Sequence, residues 1–173
     1  MTTYIPADLR RLVIDRANNR CEYCLIPQWF AASAHQVDHI IAEKHGGEAV
    51  AENLALSCVI CKLRKGTDIG SLHPVTNELH PLFHPREMIW SEYFKLASDE
   101  IIGLSAAAET TVGFMKFNIP TRVSERVALR QAGFRLIETP NRPRWFWAST
   151  STGPSANGMR CLPFANGSAK MIT

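Results

Sequence analysis

The chain lacks the marks of a membrane or secreted protein. No apolar run approaches the ~20 residues that a bilayer-spanning helix needs. Met1-Thr2-Thr3-Tyr4 leads into a polar, arginine-rich helical pattern without the apolar stretch of a secretory leader. The expectation is a cytoplasmic protein, with no membrane partner and with reduced thiols. Strong charge of one sign is also missing. The net charge of +3 is too small to indicate a polyanionic partner by itself. Nor is there a βαβ pattern around any cysteine, which argues against a thioredoxin-like redox role. What remains is a chain of 173 residues with 46% apolar content, enough to bury the core of one ordinary domain, or of a small domain with an extension.

Against this background the cysteines stand out. Four of the five form two pairs, Cys21-Glu22-Tyr23-Cys24 and Cys58-Val59-Ile60-Cys61. Two intervening residues let both sulfurs of a pair turn toward one ion, so Cys21, Cys24, Cys58 and Cys61 read as a tetrahedral structural zinc site. Disulfides are the competing assignment, disfavoured by the compartment. The 33 residues between the pairs exceed a minimal zinc ribbon and call for something folded, such as a hairpin. Cys161 has no partner and reads as a free thiol. Positive charge gathers near the pairs: Arg10, Arg11, Arg16 and Arg20 precede the first, and Lys62, Arg64 and Lys65 follow the second. A solvated basic face or a nucleic-acid contact would each use that distribution.

The remaining pattern predicts an α+β fold. Pro6 stands at the start of a helix with Leu9, Leu12, Val13 and Ala17 on one face, ended by Asn18-Asn19. Residues 36–41 read as a short strand and Lys44-His45-Gly46-Gly47 as a loop. Asn53-Leu54-Ala55-Leu56 leads into the second cysteine pair, where a short helix runs toward Gly66. A turn at Thr76-Asn77 suggests a small hairpin. His73, His80 and His84 have no matched ligands and read as packing or surface residues. Ser105 caps a helix over 106–117, and a second helix follows Asn118-Ile119-Pro120 to about Ala132, closed by Gly133. Three segments are expected: 1–66 as the metal-bearing core, 67–133 as an extension packed on it, and 134–173 as a poorly ordered tail. Within the tail, Trp145-Phe146-Trp147 could dock back, meet a partner, or do neither.

Between the cysteine pairs lies Val37-Asp38-His39-Ile40-Ile41. Adjacent side chains on a strand point to opposite faces, so Asp38 and His39 would need a bend or bulge to serve one site. The order of cysteine pair, Asp38-His39-Ile40-Ile41, Gly46-Gly47, Asn53-Leu54, and cysteine pair with Lys65-Gly66 resembles the zinc-knuckle branch of the HNH endonucleases. The resemblance is specific over residues 21–66. It continues loosely through Pro81-Leu82-Phe83-His84-Pro85-Arg86, Trp90 and Ile102-Gly103-Leu104-Ser105 to the arginine-rich stretch near 122–130.

That resemblance implies a ββα-metal (His-Me finger) core in which zinc knuckles pin a hairpin to a helix, and a metal-dependent endonuclease acting on DNA. It assigns His39 as the general base, Asp38 as a ligand of the catalytic cation and Asn53 as the brace of the loop that orients the histidine. Mg²⁺ or Mn²⁺ suits the oxygen ligand; Ni²⁺ or Zn²⁺ becomes an option if a histidine joins it. Lys62, Arg64 and Lys65 fall where DNA phosphates would be met. The family pattern has His or Asn directly after the second knuckle as another cation ligand, and this chain has Lys62, whose ammonium has no acceptor. Three outcomes stay open. A cation binds through Asp38 and a substitute such as His35 or His45; Lys62 itself contacts the phosphate; or the module binds nucleic acid without cutting, with Asp38 and Lys62 as a structural pair. A zinc-stabilised protein-interaction domain is a further alternative. One such centre nicks a single strand, so double-strand cleavage would call for a homodimer or a second event.

Overall fold

The computed structural model describes residues 4–136. Cys161 and the Trp145-Phe146-Trp147 cluster lie outside the described residues. The chain opens with α1, Ala7–Arg16, entered through Pro6. Its buried stripe is Val13 with Ala17, flanked by Leu9 and Ile14, whereas Leu12 is 38% exposed. Leu12 lies three residues from Leu9 on the flank of the helix, beyond the width that the hairpin below covers. The helix stops where Asn18 and Asn19 take left-handed φ values of 49° and 54°, a conformation asparagine tolerates better than most residues.

β1, Gln36–His39, pairs antiparallel with β2, Leu54–Ser57, in a register that sets Asp38 opposite Ala55 and His39 opposite Leu54. The expected strand thus ends at His39, although Ile40 still donates its N–H to Asn53 O at 2.8 Å. Helix α2, Val59–Lys65, follows, with Cys58 as N-cap and Gly66 turning the chain out at φ 53°. Hairpin, loop and helix therefore occur in the expected order.

Two clusters of buried side chains sandwich this hairpin. Ile5, Val13, Ala17, Val37, Leu54 and Leu56 join α1 to one side. On the other, Ile40 and Ala55 meet the cysteines, Tyr23, Ile26, Phe83, Trp90, Phe94, Ile101, Phe117 and Leu129. Trp90 ties the later segment to the turn that carries the first cysteine pair, its indole donating to Tyr23 O at 2.9 Å.

The later segment adds two further hairpins. β3, Gly70–Leu72, pairs with β4, Leu79–Pro81, around a turn that holds Asn77 at φ 58°. A short helix α3, Trp90–Tyr93, leads into β5, Phe94–Ala97, which pairs with β6, Glu100–Gly103. This last hairpin has no counterpart in the sequence reading. Its turn is Ser98-Asp99, both at positive φ, the geometry that two-residue hairpin loops prefer but usually meet with glycine or asparagine.

α4, Ala106–Phe114, starts on the Ser105 cap, and α5, Pro120–Gln131, ends before Gly133 at φ 79°. α4 is shorter than the expected 106–117, because Lys116 turns left-handed at φ 55° and Phe117 closes back on Val112 O at 3.2 Å. After α5, Phe134 packs edge-on against Trp29 and Leu136 is buried in the cysteine-side cluster. No helix among the described residues is long and apolar enough to cross a membrane.

Candidate functional site

Cys21 and Cys24 arrive on the tight turn after α1, and Cys58 and Cys61 on the first turn of α2. The turn is held because Leu25 N–H bonds Cys21 O at 2.9 Å and Glu22 N–H bonds Leu56 O at 2.9 Å, so the first pair is laced to the strand that delivers the second. All four cysteines are buried and their sulfurs lie within 4.8 Å of one another. Four sulfurs at ~2.3 Å from a tetrahedral ion sit about 3.8 Å apart, and Cys24 Sγ to Cys58 Sγ is 3.8 Å. The quartet can hold a metal such as zinc, which would supply a structural cross-link there.

Charge is arranged to suit such a quartet. Burial, then hydrogen bonding from its neighbours, pushes the Cys21 thiol up, and hydrogen bonding followed by burial does the same at Cys61. Hydrogen bonds from the other three thiols, helped by the Arg122 guanidinium, hold Cys58 far below an ordinary thiol. Arg122 is the residue the sequence reading did not single out. It is buried, donating from Nη2 to Cys24 Sγ at 2.7 Å and to Cys58 Sγ at 3.6 Å, and from Nη1 to Glu125 Oε2 at 2.6 Å. Burial opposes its charge, yet the thiols of Cys24, Cys58 and Cys61, with Glu125, outweigh that and push it upward. The loose resemblance reached the arginine-rich stretch near 122–130 without singling out Arg122, since an arginine on a helix ordinarily faces water.

The second constellation lies along β1. Pairing runs without a bulge through Asp38 and His39, so alternation sends Gln36 and Asp38 to one side and Val37 and His39 to the other. On the first side stands α2. Lys62 Nζ donates to Gln36 Oε1 at 2.7 Å and lies 3.7 Å from Asp38 Oδ1. Gln36 is thus a partner that sequence reasoning passed over; its place two residues before Asp38 on the same face was the available signal. His39 is half-buried. Its Nε2 is shielded without a hydrogen-bond partner.

Asn53 is buried at the base of the loop between the strands. Its Oδ1 accepts from Ile41 N at 2.9 Å, and its Nδ2 donates to Ile41 O at 2.9 Å and to Glu48 O at 3.0 Å. Gly47 closes the same loop: a Cβ there would lie 1.8 Å from Ile41 O and 2.7 Å from Asn53 Nδ2. The loop that follows His39 is therefore held from both ends.

The basic residues separate. Arg64 is exposed on α2, while Lys65, expected toward phosphates, is only 3% exposed. Its ammonium faces inward, donating to His39 O at 3.2 Å and Gly66 O at 3.4 Å, and burial pushes its pKa down against the pull of Asp38 and Asp68. Lys65 thus ties the end of β1 to the end of α2. Arg16 is similarly engaged, donating to Ala51 O at 2.7 Å and to Leu54 O, with burial pushing it down to about 10.

For a catalytic cation the donor set fits poorly. The family pattern's carboxylate is Asp38, and an ammonium stands beside it. His35 is buried, with Nε2 at 2.9 Å from Ile26 O, and His45 is exposed in the loop. Among the described residues, the cysteine quartet is the one set of three or more metal-ligating side chains found together.

Residues 21–68 match the family model for HNH endonuclease. The matched segment contains both cysteine pairs, Asp38, His39, Asn53 and Lys62, and the four-cysteine cluster is consistent with the zinc-knuckle branch of that family. No curated protein and no solved structure matches the chain.

Proposed function

We propose that β1, β2 and α2 form the ββα core of a DNA phosphodiesterase stapled by zinc at the four cysteines, with His39 as its general base. The observation that carries this reading is the HNH match over 21–68 around a histidine whose following loop is braced by Asn53. A base working through Nδ1 carries its hydrogen on Nε2, which is the shielded nitrogen of His39. In the reaction His39 takes a proton from water, the water oxygen bonds to phosphorus, and the bond to the leaving sugar oxygen breaks, that oxygen taking a proton from solvent. The attacking and leaving oxygens lie in line on opposite sides of phosphorus. Because β1 pairs without a bulge, His39 and the Asp38–Lys62 pair point to opposite faces, and one phosphodiester reaches both only across the end of the strand. Arg64 meets the backbone beyond the reacting phosphate.

Metal dependence, the family expectation, has Asp38 as its support and the Lys62 ammonium against it, so the hydrolysis rests on the chain's own groups. The Lys62–Asp38 contact at 3.7 Å favours a second reading, a zinc-stabilised module that binds nucleic acid without cutting it. Incubating supercoiled plasmid with the purified protein, with and without Mg²⁺ or Mn²⁺, separates the two. The nuclease reading expects nicking that drops about 10²–10⁴-fold in His39→Ala. Salt-dependent binding with no nicking in any condition would establish the module instead.

A further inference from the structure

We propose that Lys62 is the phosphate-binding group of the HNH segment and that its ammonium, in place of a divalent cation at Asp38, supplies positive charge to the bound phosphodiester. The proposal rests on the nucleic-acid reading above and names how that site meets its substrate.

The ammonium has three donors and no acceptor. Gln36 Oε1 takes one at 2.7 Å. Asp38 Oδ1, at 3.7 Å, is outside hydrogen-bond reach, close enough to orient the charge but not to consume a donor. Two N–H groups are therefore left without a close acceptor among the described residues, on a side chain that is 38% exposed. Gln36 and Asp38 share one face of β1, so together they hold the lysine over the strand that ends in His39.

The same arrangement disfavours a dication. The ammonium would repel a metal ion from the Asp38 carboxylate, the neighbouring Gln36 Oε1 is already engaged by Lys62, and among the described residues no cluster of three or more His, Cys, Asp or Glu side chains includes Asp38. An anion is met by the two remaining N–H groups of the partly exposed ammonium, against the repulsion of Asp38. With Lys62 bound to a non-bridging oxygen, charge developing on the phosphoryl group is met by a fixed cation, while His39 removes the proton of the attacking water.

The test uses the full chain with its zinc, assayed on supercoiled plasmid in buffer freed of divalent cations over chelating resin, with zinc content measured afterwards. The natural protein is expected to nick without added metal and to change by less than about twofold with Mg²⁺ or Mn²⁺. Lys62→Met is expected to lose about 100-fold, and Lys62→Asn to be as weak until Mn²⁺ restores it. Nicking by the natural protein only after metal addition, or Lys62→Met as fast as the parent, overturns the proposal. If nothing nicks, the nuclease reading fails separately, and binding of a DNA duplex decides for Lys62. A weaker affinity and a salt slope reduced by about one in Lys62→Met support it; unchanged binding overturns it.

Discussion

Asn53 holds both backbone polar groups of Ile41, accepting from its N–H and donating to its C=O at 2.9 Å each. Through that grip the fourteen-residue excursion from β1 to β2 returns to its own starting point, just past His39. A third bond, to Glu48 O at 3.0 Å, fixes the middle of the loop.

Asn53→Ala would leave three backbone groups without their partner at a buried position. A loss of about 2–3 kcal/mol is expected, read as a lower denaturant midpoint at unchanged slope. A midpoint within error of the parent would show that water replaces the amide.

The two loop glycines should behave differently. Gly47→Ala drives a methyl into Ile41 O, a backbone atom that cannot swing aside, and should cost about 2–3 kcal/mol or more. Gly46 has open space around its Cβ position and a φ of 81°, so Gly46→Ala should cost only about 1–2 kcal/mol. Thermal unfolding of the pair, with the order reversed, would refute this account of the loop.

Removing the metal should unfold residues 21–68, because four buried thiols without an ion lose the cross-link that joins the turn after α1 to α2. Metal analysis should return about one zinc per chain. A strong chelator, or Cys21→Ser, should abolish the cooperative unfolding transition. Full stability after complete zinc removal would contradict the assignment.

Arg122→Met removes the cation packed on two of those sulfurs. A destabilisation of about 3 kcal/mol is expected, in the range for breaking a buried charged pair, together with faster transfer of zinc to a chromogenic chelator. Arg122→Lys should recover part of both, since it restores charge without the forked geometry. Equal zinc-transfer rates in all three proteins would reduce Arg122 to packing.

Acid should loosen α5 from the β5–β6 turn. Hydrogen bonds from Arg130 hold the Asp99 carboxyl below its ordinary value. A carboxyl lowered in the folded state stabilises the fold above its unfolded value, about 3.9, and that contribution disappears as pH falls through the lower folded value. Asp99→Asn, which tolerates the positive φ of the turn, should therefore show a flatter decline of stability below about pH 4. Parallel curves for the two proteins would remove Asp99 as a contributor.

How far the sequence was legible depends on the range of the interaction. The spacing of the cysteine pairs, the apolar pattern of residues 36–41 and 53–56, and the stops at Gly66 and Gly133 are local signals, and local geometry obeyed them. The Ser98-Asp99 turn was not legible, because neither residue advertises a left-handed backbone. Asn118 escaped for a different reason: it grips Ile101 N and O at 2.9 and 2.8 Å just as Asn53 grips Ile41, but its partner is set by packing between distant segments.

The sequence by itself determined that four cysteines would meet, and that a hairpin and a short helix would carry Asp38, His39, Asn53 and Lys62 between and beside them. Backbone propensity and ligand spacing suffice for that much. Only the tertiary structure decided what each positive charge does. Lys65 and Arg16 turned inward to carbonyls, Arg122 came 98 positions along the chain to Cys24, and Lys62 settled between Gln36 and Asp38. A cation's role depends on which acceptors and anions surround it once distant segments have packed, and the sequence shows the charge but not that company.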